Sequence, residues 1–428
     1  MKPPRHLEIL AMLCIFSVFL DKAIRGGLPF DFYYYYPIFI LFLLAQLSYF
    51  KKIFFPPRWF NWAVLIITII SFIVTTLKGI VGFELLKQFI GIFFTAIVYY
   101  NVFYVFNFKI KRIFDIYLKF SFYVAAFGII NNMLHLAGIH ITKQLDTGTF
   151  FYREVSIMGE PFYLTLALTP ALLYYLINFK ELWIPYKKQI VTILICYLLT
   201  FSSIAVAGLS IGIMIALYLN NFFSIRSNRL AILPLLIIPL FFVVSYFINN
   251  IDLLNARFYD TTKLFLSSQI MVEEAGKANS STFALYSNYV IARDSFFKNP
   301  MFGSGLGSHP IIYYETFVSY FPSSYLKMYG AQNQQDANSK FLRLLSETGL
   351  LGLTLFLFAY FKFLIPKKKI RTADQKYLAS INYAIFVYIL LCLIRNGNYI
   401  NIGFFLFFFI YYITYIQFKF ISTPTKDF

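Results

Sequence analysis

The feature that most constrains this chain is the recurrence of charge-free apolar stretches about as long as a bilayer is thick. No charged residue lies between Arg58 and Lys78, between Lys376 and Arg395, or between Arg395 and Lys419. A hydrocarbon core of about 30 Å takes about 20 helical residues to cross. Hydrophobic residues make up 59% of the 428 residues and charged residues only 13%, about half the usual share of ~25%. A soluble fold of this length has too little polar surface to cover so much apolar area. Disorder and collagen are excluded by the same composition. Cys14, Cys196 and Cys392 each sit inside an apolar run, so no disulfide framework is expected. The chain reads as an all-α polytopic membrane protein.

Runs of spanning length are centred near residues 7–21, 33–50, 61–77, 86–107, 115–138, 160–178, 189–203, 204–223, 230–248, 347–365, 377–395 and 399–418, which gives about twelve transmembrane helices. The seventh and eighth are nearly continuous, and a turn at Ser202-Ser203 separates them. With that turn, every second connection is basic: Lys51/Lys52/Arg58, Lys109/Lys111/Arg112, Lys180/Lys187/Lys188, Arg226/Arg229 and Lys367/Lys368/Lys369. Basic loops mark the cytoplasmic side, so both termini are expected there, and the net charge of +18 calls for no nucleic acid. The first run leads into Asp21-Lys22-Ala23-Ile24-Arg25, which does not read as a signal-peptide cleavage site.

One connection is out of scale. Between the ninth and tenth runs, Asn249 to Arg343 form a large extracytoplasmic loop with seven acids and eight bases. Connections beyond about 15 residues are usually functional or disordered, and this one is too rich in aromatic and aliphatic residues for disorder. It is expected to fold as short helices, one of them Ser281–Asn299, ended by Asn299-Pro300 and the glycines that follow. The chain thus divides into residues 1–248 with nine spans, the loop 249–346, and residues 347–428 with three spans and a cytoplasmic tail.

Several chemistries have no sequence support. There is no Gly-x-x-x-x-Gly-Lys-Ser/Thr loop for ATP, no Asp-x-Asp pair to anchor a metal-bound nucleotide sugar, and no metal-ligand spacing around the histidines. Few charges lie well inside the spans, where an ion-coupled transporter keeps them. The charged residues embedded in apolar sequence on the outer face are the remaining candidates. Arg153, Glu154 and Glu160 precede the sixth span; Arg153 suits a pair of phosphate oxygens, or a local ion pair with Glu154 or Glu160. Arg293 precedes Asn299-Pro300 and the glycines Gly303, Gly305 and Gly307, which read either as a phosphate cradle or as a tight turn. His309 follows as a candidate base. Asp336 and Asn338 precede the tenth span, where either also suits a helix N-cap. Gly208 and Gly212 form a small-xxx-small pair expected to allow close helix packing.

These clusters, in this order around one large loop, resemble the O-antigen polymerase and O-antigen ligase superfamily. The matching residues are Arg153 with Glu160-Pro161, the turn Thr200-Phe201-Ser202-Ser203, Arg293, Asn299-Pro300 with Gly303 and Gly305, Asn338, and Glu347-Thr348-Gly349-Leu350-Leu351-Gly352-Leu353. The resemblance implies a metal-independent inverting glycosyltransferase without a cofactor, acting at the outer face of the bacterial cytoplasmic (inner) membrane. Its donor and acceptor would be oligosaccharides on undecaprenyl diphosphate, and a chain-length regulator protein would be a further partner. Arg153 and Arg293 would bind the diphosphate leaving group, because arginines stabilise growing negative charge without deprotonating. Asp336, Glu160 and Arg293 would be catalytic, and Asn338, Gly303, Gly305 and His309 would position the loop and substrate. Ligases of the superfamily carry a histidine just before the position matching Asn338, and here it is Ala337. That favours polymerisation of repeat units into O-antigen or a related surface polysaccharide. The alternatives are an O-antigen ligase acting on lipid A core and, more distantly, a lipid-linked oligosaccharide flippase.

Overall fold

A computed structural model describes residues 3–24, 31–80, 82–142, 152–222, 252–267, 269–330 and 332–422. Its first eight helices are α1 (Arg5–Phe16), α2 (Tyr36–Phe50), α3 (Arg58–Leu77), α4 (Phe83–Val105), α5 (Ile110–Leu136), α6 (Pro161–Ile177), α7 (Phe179–Leu199) and α8 (Ser203–Leu219). Five shorter or more polar helices follow: α9 (Asp252–Phe265), α10 (Val272–Lys277), α11 (Ser280–Lys298), α12 (His309–Tyr320) and α13 (Ser323–Tyr329). The chain closes with α14 (Lys340–Lys362), α15 (Ala373–Arg395) and α16 (Phe404–Ser422). Among the described residues the strand pairing is confined to Ala23–Ile24 against Phe32–Tyr33.

Seven of these helices, α3, α4, α5, α7, α14, α15 and α16, are long and apolar enough to cross a membrane. Helices α2, α6 and α8 are apolar but shorter. The first expected span is only 12 residues of α-helix followed by a 3₁₀ turn over Ser17–Phe19. The ninth, 230–248, lies outside the described residues. The apolar stretch of α3 is only 17% buried, and it turns Leu65, Ile69, Phe72 and Ile73 outward. A helix that is apolar on its exposed face needs hydrocarbon around it. The architecture is that of an all-α polytopic membrane protein.

Helix α15 is the hub, packed against α6, α8, α14 and α16, with 78% of its apolar stretch buried. Asn382 on it is fully buried. Its amide donates to Phe363 O, Tyr411 O and Thr414 Oγ1 and accepts from the Ile365 N–H, tying three helices where water is absent to compete. Helix α6 carries Pro170 in its interior, and the hydroxyl of Tyr117 repairs the ladder beside it: it donates to Ala167 O at 2.7 Å and accepts from Ala171 N at 3.2 Å. Insertion of a side chain into the ladder is a recognised cause of helix bending. Gly208 and Gly212 do mark close packing, since a Cβ on Gly212 would stand 2.0 Å from Leu173 Cδ2.

Helices α9 to α13 sit together at one end of the bundle around a core that includes Phe283, Tyr286, Ile291, Tyr313 and Phe317. The two glycine motifs of the sequence meet there. Helix α14 breaks at Gly349 (φ 59°, ψ −156°), so Ser346 O and Glu347 O lose their usual partners, the N–H groups of Leu350 and Leu351. Ser304 N and Gly305 N supply replacements at 2.9 and 2.8 Å, while Leu350 N and Leu351 N donate instead to Pro300 O and Met301 O at 2.8 and 3.1 Å. All four backbone groups are satisfied by exchange, as buried amides require. Only glycines fit: a Cβ on Gly303 would lie 2.6 Å from the Glu347 carbonyl carbon, and one on Gly349 2.6 Å from Gly303 N. The run after Asn299-Pro300 forms the tight turn of the two sequence readings.

Candidate functional site

The connections that the alternating charge pattern assigns to the outer face converge. Lys22 and residues near 31–40, 83–94, 153–163, 202–204, 280–281, 332–343 and 395–401 line two adjacent cavities of about 610 and 780 Å³. The basic connections of the opposite face meet elsewhere, with Lys109, Lys111 and Arg112 around a third hollow.

The segment ahead of α6 is fixed from three sides. Glu154 N donates to Leu199 O at 2.9 Å, and Arg153 Nε donates to Thr200 O at 3.3 Å, so the end of α7 sets the position of Arg153. The buried Glu154 carboxylate accepts from Asn132 Nδ2 at 3.2 Å and from the Ser156 amide. Gly159 N donates to both carboxylate oxygens of Asp21, at 3.0 and 3.2 Å. Burial pushes the Asp21 carboxyl up to about 6, against the pull of the Gly159 hydrogen bond, and Glu160 adds to the rise. Glu160 is the N-cap residue of α6 in extended conformation, followed by Pro161, a residue suited to the first helical turn. Its side chain makes no capping bond and is exposed, lining both cavities.

The smaller cavity sets Lys22, Arg153 and Arg395 against Glu160, three cations against one carboxylate, with Ser202, Ser203, Ser280 and Ser281 around them. Arg395 ends α15; its Nη2 donates to Ser281 O at 3.0 Å and to Ser281 Oγ. With its amide oxygen turned toward the guanidinium, Asn338 accepts from Arg395 Nη1 at 2.9 Å. Asn338 and Ala337 are both left-handed (φ 57° and 54°), a costly conformation that tends to mark functional segments. Asp336 Oδ1 accepts from Asn338 N at 3.0 Å, while Ser339, not Asp336 or Asn338, caps α14 through Leu342 N.

Asp336 lines the larger cavity together with Glu160 and Arg343. Burial raises the Asp336 carboxyl above the ordinary range, opposed by the Asn338 amide and the charges of Arg343, Lys340 and Arg395. Arg343 and Glu347 are buried together, with Nε to Oε1 at 3.0 Å. Tyr399 donates to the second Glu347 oxygen at 3.0 Å, and Arg343 Nη1 donates to Gly397 O at 3.3 Å. The glutamate of the Glu-x-Gly-Leu motif is thus an internal counter-ion that holds Arg343.

Arg153, Glu160, Asp336 and Asn338 are brought together. Arg293, expected at the diphosphate, lines neither cavity; its guanidinium lies over the Tyr289 ring at 5.9 Å. Gly303 and Gly305 serve the backbone exchange at α14 and do not reach the cavities. His309 is fully buried, its Nδ1 against Ser346 Oγ at 3.0 Å and its Nε2 against Asn288 Oδ1 at 2.9 Å. Burial, with Arg343 nearby, lowers it to about 3, so it is a neutral strut between helices. In that setting it holds the loop helices together and lines neither cavity. Lys22, Arg343 and Arg395 were not legible as site residues. For Arg395 a signal existed: a basic residue at the outer end of a span runs against the positive-inside bias.

Residues 190–357 match the model of the O-antigen ligase family, which supports the O-antigen polymerase and ligase superfamily for this chain. The matched segment holds Asp336, Asn338 and the break in helix α14 at Gly349, whereas Arg153, Glu160 and Arg395 lie outside it. No curated protein matches the chain.

Proposed function

We propose that the chain polymerises oligosaccharide repeat units carried on a polyprenyl diphosphate, with the donor diphosphate in the smaller cavity and the acceptor sugar in the larger. The observation that carries this reading is the position of Glu160, which lines both. A carboxylate between a cationic chamber and a second chamber stands where a nucleophile and a leaving group must meet. The acceptor hydroxyl attacks the anomeric carbon of the donor sugar and loses its proton to Glu160. The bond from that carbon to the phosphate oxygen breaks, and its electron pair leaves on the diphosphate. Arg153, Arg395 and Lys22 face the charge that grows there, as fixed cations and donors do most for a transition state when already in place. In this assignment Arg395 takes the part expected of Arg293.

The family implies a glycosyl-transferring enzyme of ligase or polymerase type. One feature favours the polymerase: Ala337, where ligases of the superfamily carry histidine, is buried beside Ala292 and Leu342 and has no group to take or give a proton. The flank of the larger cavity on α2 and α4 exposes Ile40, Leu86 and Ile90, a surface on which the chain of a lipid-borne acceptor can lie in either reaction. Deletion of the gene tests the choice. A polymerase leaves surface glycolipid bearing a single repeat unit, while a ligase leaves none attached and lipid-linked polymer accumulates; the second outcome would overturn the reading.

A further inference from the structure

The turn that fills the break in α14 reaches below the end of α3. A Cβ on Gly305 would run into Thr75 Cγ2 and stand 3.1 Å from Ser71 O. Ser71 and Thr75 are buried on a helix that is otherwise largely exposed. Ser71 precedes Leu77, where α3 ends, by about 9 Å of helix. The α14 side gives a similar depth. Pro300 O and Met301 O accept from Leu350 N and Leu351 N, just past the break at Gly349. From Gly349 to Lys362, the last residue of α14, helix covers about 20 Å. A hydrocarbon core is about 30 Å thick, so the turn stands inside it and not above it.

What the turn shows to its surroundings is apolar. Pro300, Met301 and Phe302 are consecutive and exposed, Met301 by 54% and Phe302 by 47%. A run of three exposed apolar residues is a liability in water. Below it α14 turns outward Leu350, Leu355, Phe358 and Phe361, and α3 turns outward Phe72 and Leu77. Thr354, exposed among the α14 residues, folds its hydroxyl back on Leu350 O at 2.6 Å and Leu351 O at 3.0 Å. The main chain of the turn is bonded within the protein as well. Pro300 has no N–H, its carbonyl and that of Met301 are taken by α14, and Gly303 N donates to Asn299 O at 3.0 Å. Irregular backbone at membrane depth needs such partners.

We propose that the tip Pro300-Met301-Phe302 is inserted in the outer leaflet, continues the lipid-facing surface of α3 and α14, and holds the cap of α9 to α13 to the bilayer. Its partner is lipid acyl chain. The break at Gly349 is what lets the tip in, because an unbroken α14 would keep the amides of Leu350 and Leu351 for its own ladder. The insertion is independent of the chemistry assigned to Glu160.

Spin labelling of the full chain in lipid nanodiscs tests this. The native Cys14, Cys196 and Cys392 are free and fully buried, so the label goes to an introduced cysteine. Met301→Cys and Phe302→Cys are compared with Ile69→Cys on the exposed face of α3 and with Glu273→Cys at an exposed position of α10. Molecular oxygen concentrates in hydrocarbon, whereas a nickel chelate stays in water. The logarithm of the oxygen-to-chelate relaxation ratio should be positive at residues 301 and 302, as at 69, and negative at 273. Chelate access at 301 and 302 equal to that at 273 would overturn the proposal and leave the tip in water, as a face for a protein partner. Low access of both probes at 301 and 302 would overturn it too, since the tip would then be packed against protein.

Discussion

With the Asn338 amide turned so that its oxygen faces the guanidinium, Arg395 Nη1 lies 2.9 Å from that oxygen and joins the end of α15 to the left-handed turn that precedes α14. The other arm of the same guanidinium holds Ser281 at the start of α11. One side chain thus gathers three elements and still borders the cationic cavity. An ammonium cannot reproduce this fork. Arg395→Lys should therefore lose nearly as much chain transfer as Arg395→Ala, about 10²–10³-fold if one transition-state donor is removed. Arg153→Lys should behave alike. Arg293→Ala should keep its activity, and a loss there equal to that of Arg395→Ala would return the leaving-group role to Arg293. Rates of polyprenyl diphosphate release, at matched protein levels, decide.

Gly303 and Gly349 touch backbone to backbone across the exchange that replaces the broken turn of α14. Alanine at either position combines a positive φ with an overpacked contact, worth about 1–3 kcal/mol of destabilisation. The double variant should cost less than the sum, because the two share one contact. Thermal unfolding in detergent reads all three proteins.

His309 supplies a pH signature of the helical cap without touching the chemistry. Its folded-state value is lowered to about 3 from 6.5. A group with a depressed folded value gives stability that is complete above its unfolded value and lost as pH falls. The cap should therefore weaken below about pH 6.5 by about 1.4 kcal/mol per pH unit. His309→Gln should flatten that dependence while the pH profile of chain transfer keeps its shape. A shifted activity profile would contradict the assignment of His309 as a strut.

How much of this was legible in the sequence follows from what each residue needs to reveal itself. Helix α11 runs Ser280–Lys298, one residue from its expected bounds, because Asn299-Pro300 is a local stop. The break at Thr200–Ser202 is local too, with Phe201 at φ 44°. Arg153 and Glu160 could be read because they stand together before one span. The partnership of Arg395 with Asn338 joins residues on two helices, and nothing local to either announces it. His309 illustrates the converse case: a loop histidine beside glycines looks exposed in the sequence, whereas packing closes over it. The twelve-span count combined apolar length with the alternation of basic connections, and neither shows that α1 is 12 residues of α-helix followed by a 3₁₀ turn, after which the chain brings Asp21 to the Gly159 amide.

The most direct test of the two-cavity arrangement is the Glu160→Gln variant of the full chain in lipid nanodiscs, supplied with lipid-linked repeat units. Chain growth and polyprenyl diphosphate release are measured together. Glutamine keeps the shape of the side chain and removes its capacity to take a proton, so the rate should fall by about 10²–10⁴ while thermal unfolding stays at the wild-type temperature. Asp336→Asn should fall less, since Asp336 lines one cavity only. Wild-type chain growth in Glu160→Gln would contradict the assignment of Glu160 as the residue that takes the acceptor's proton.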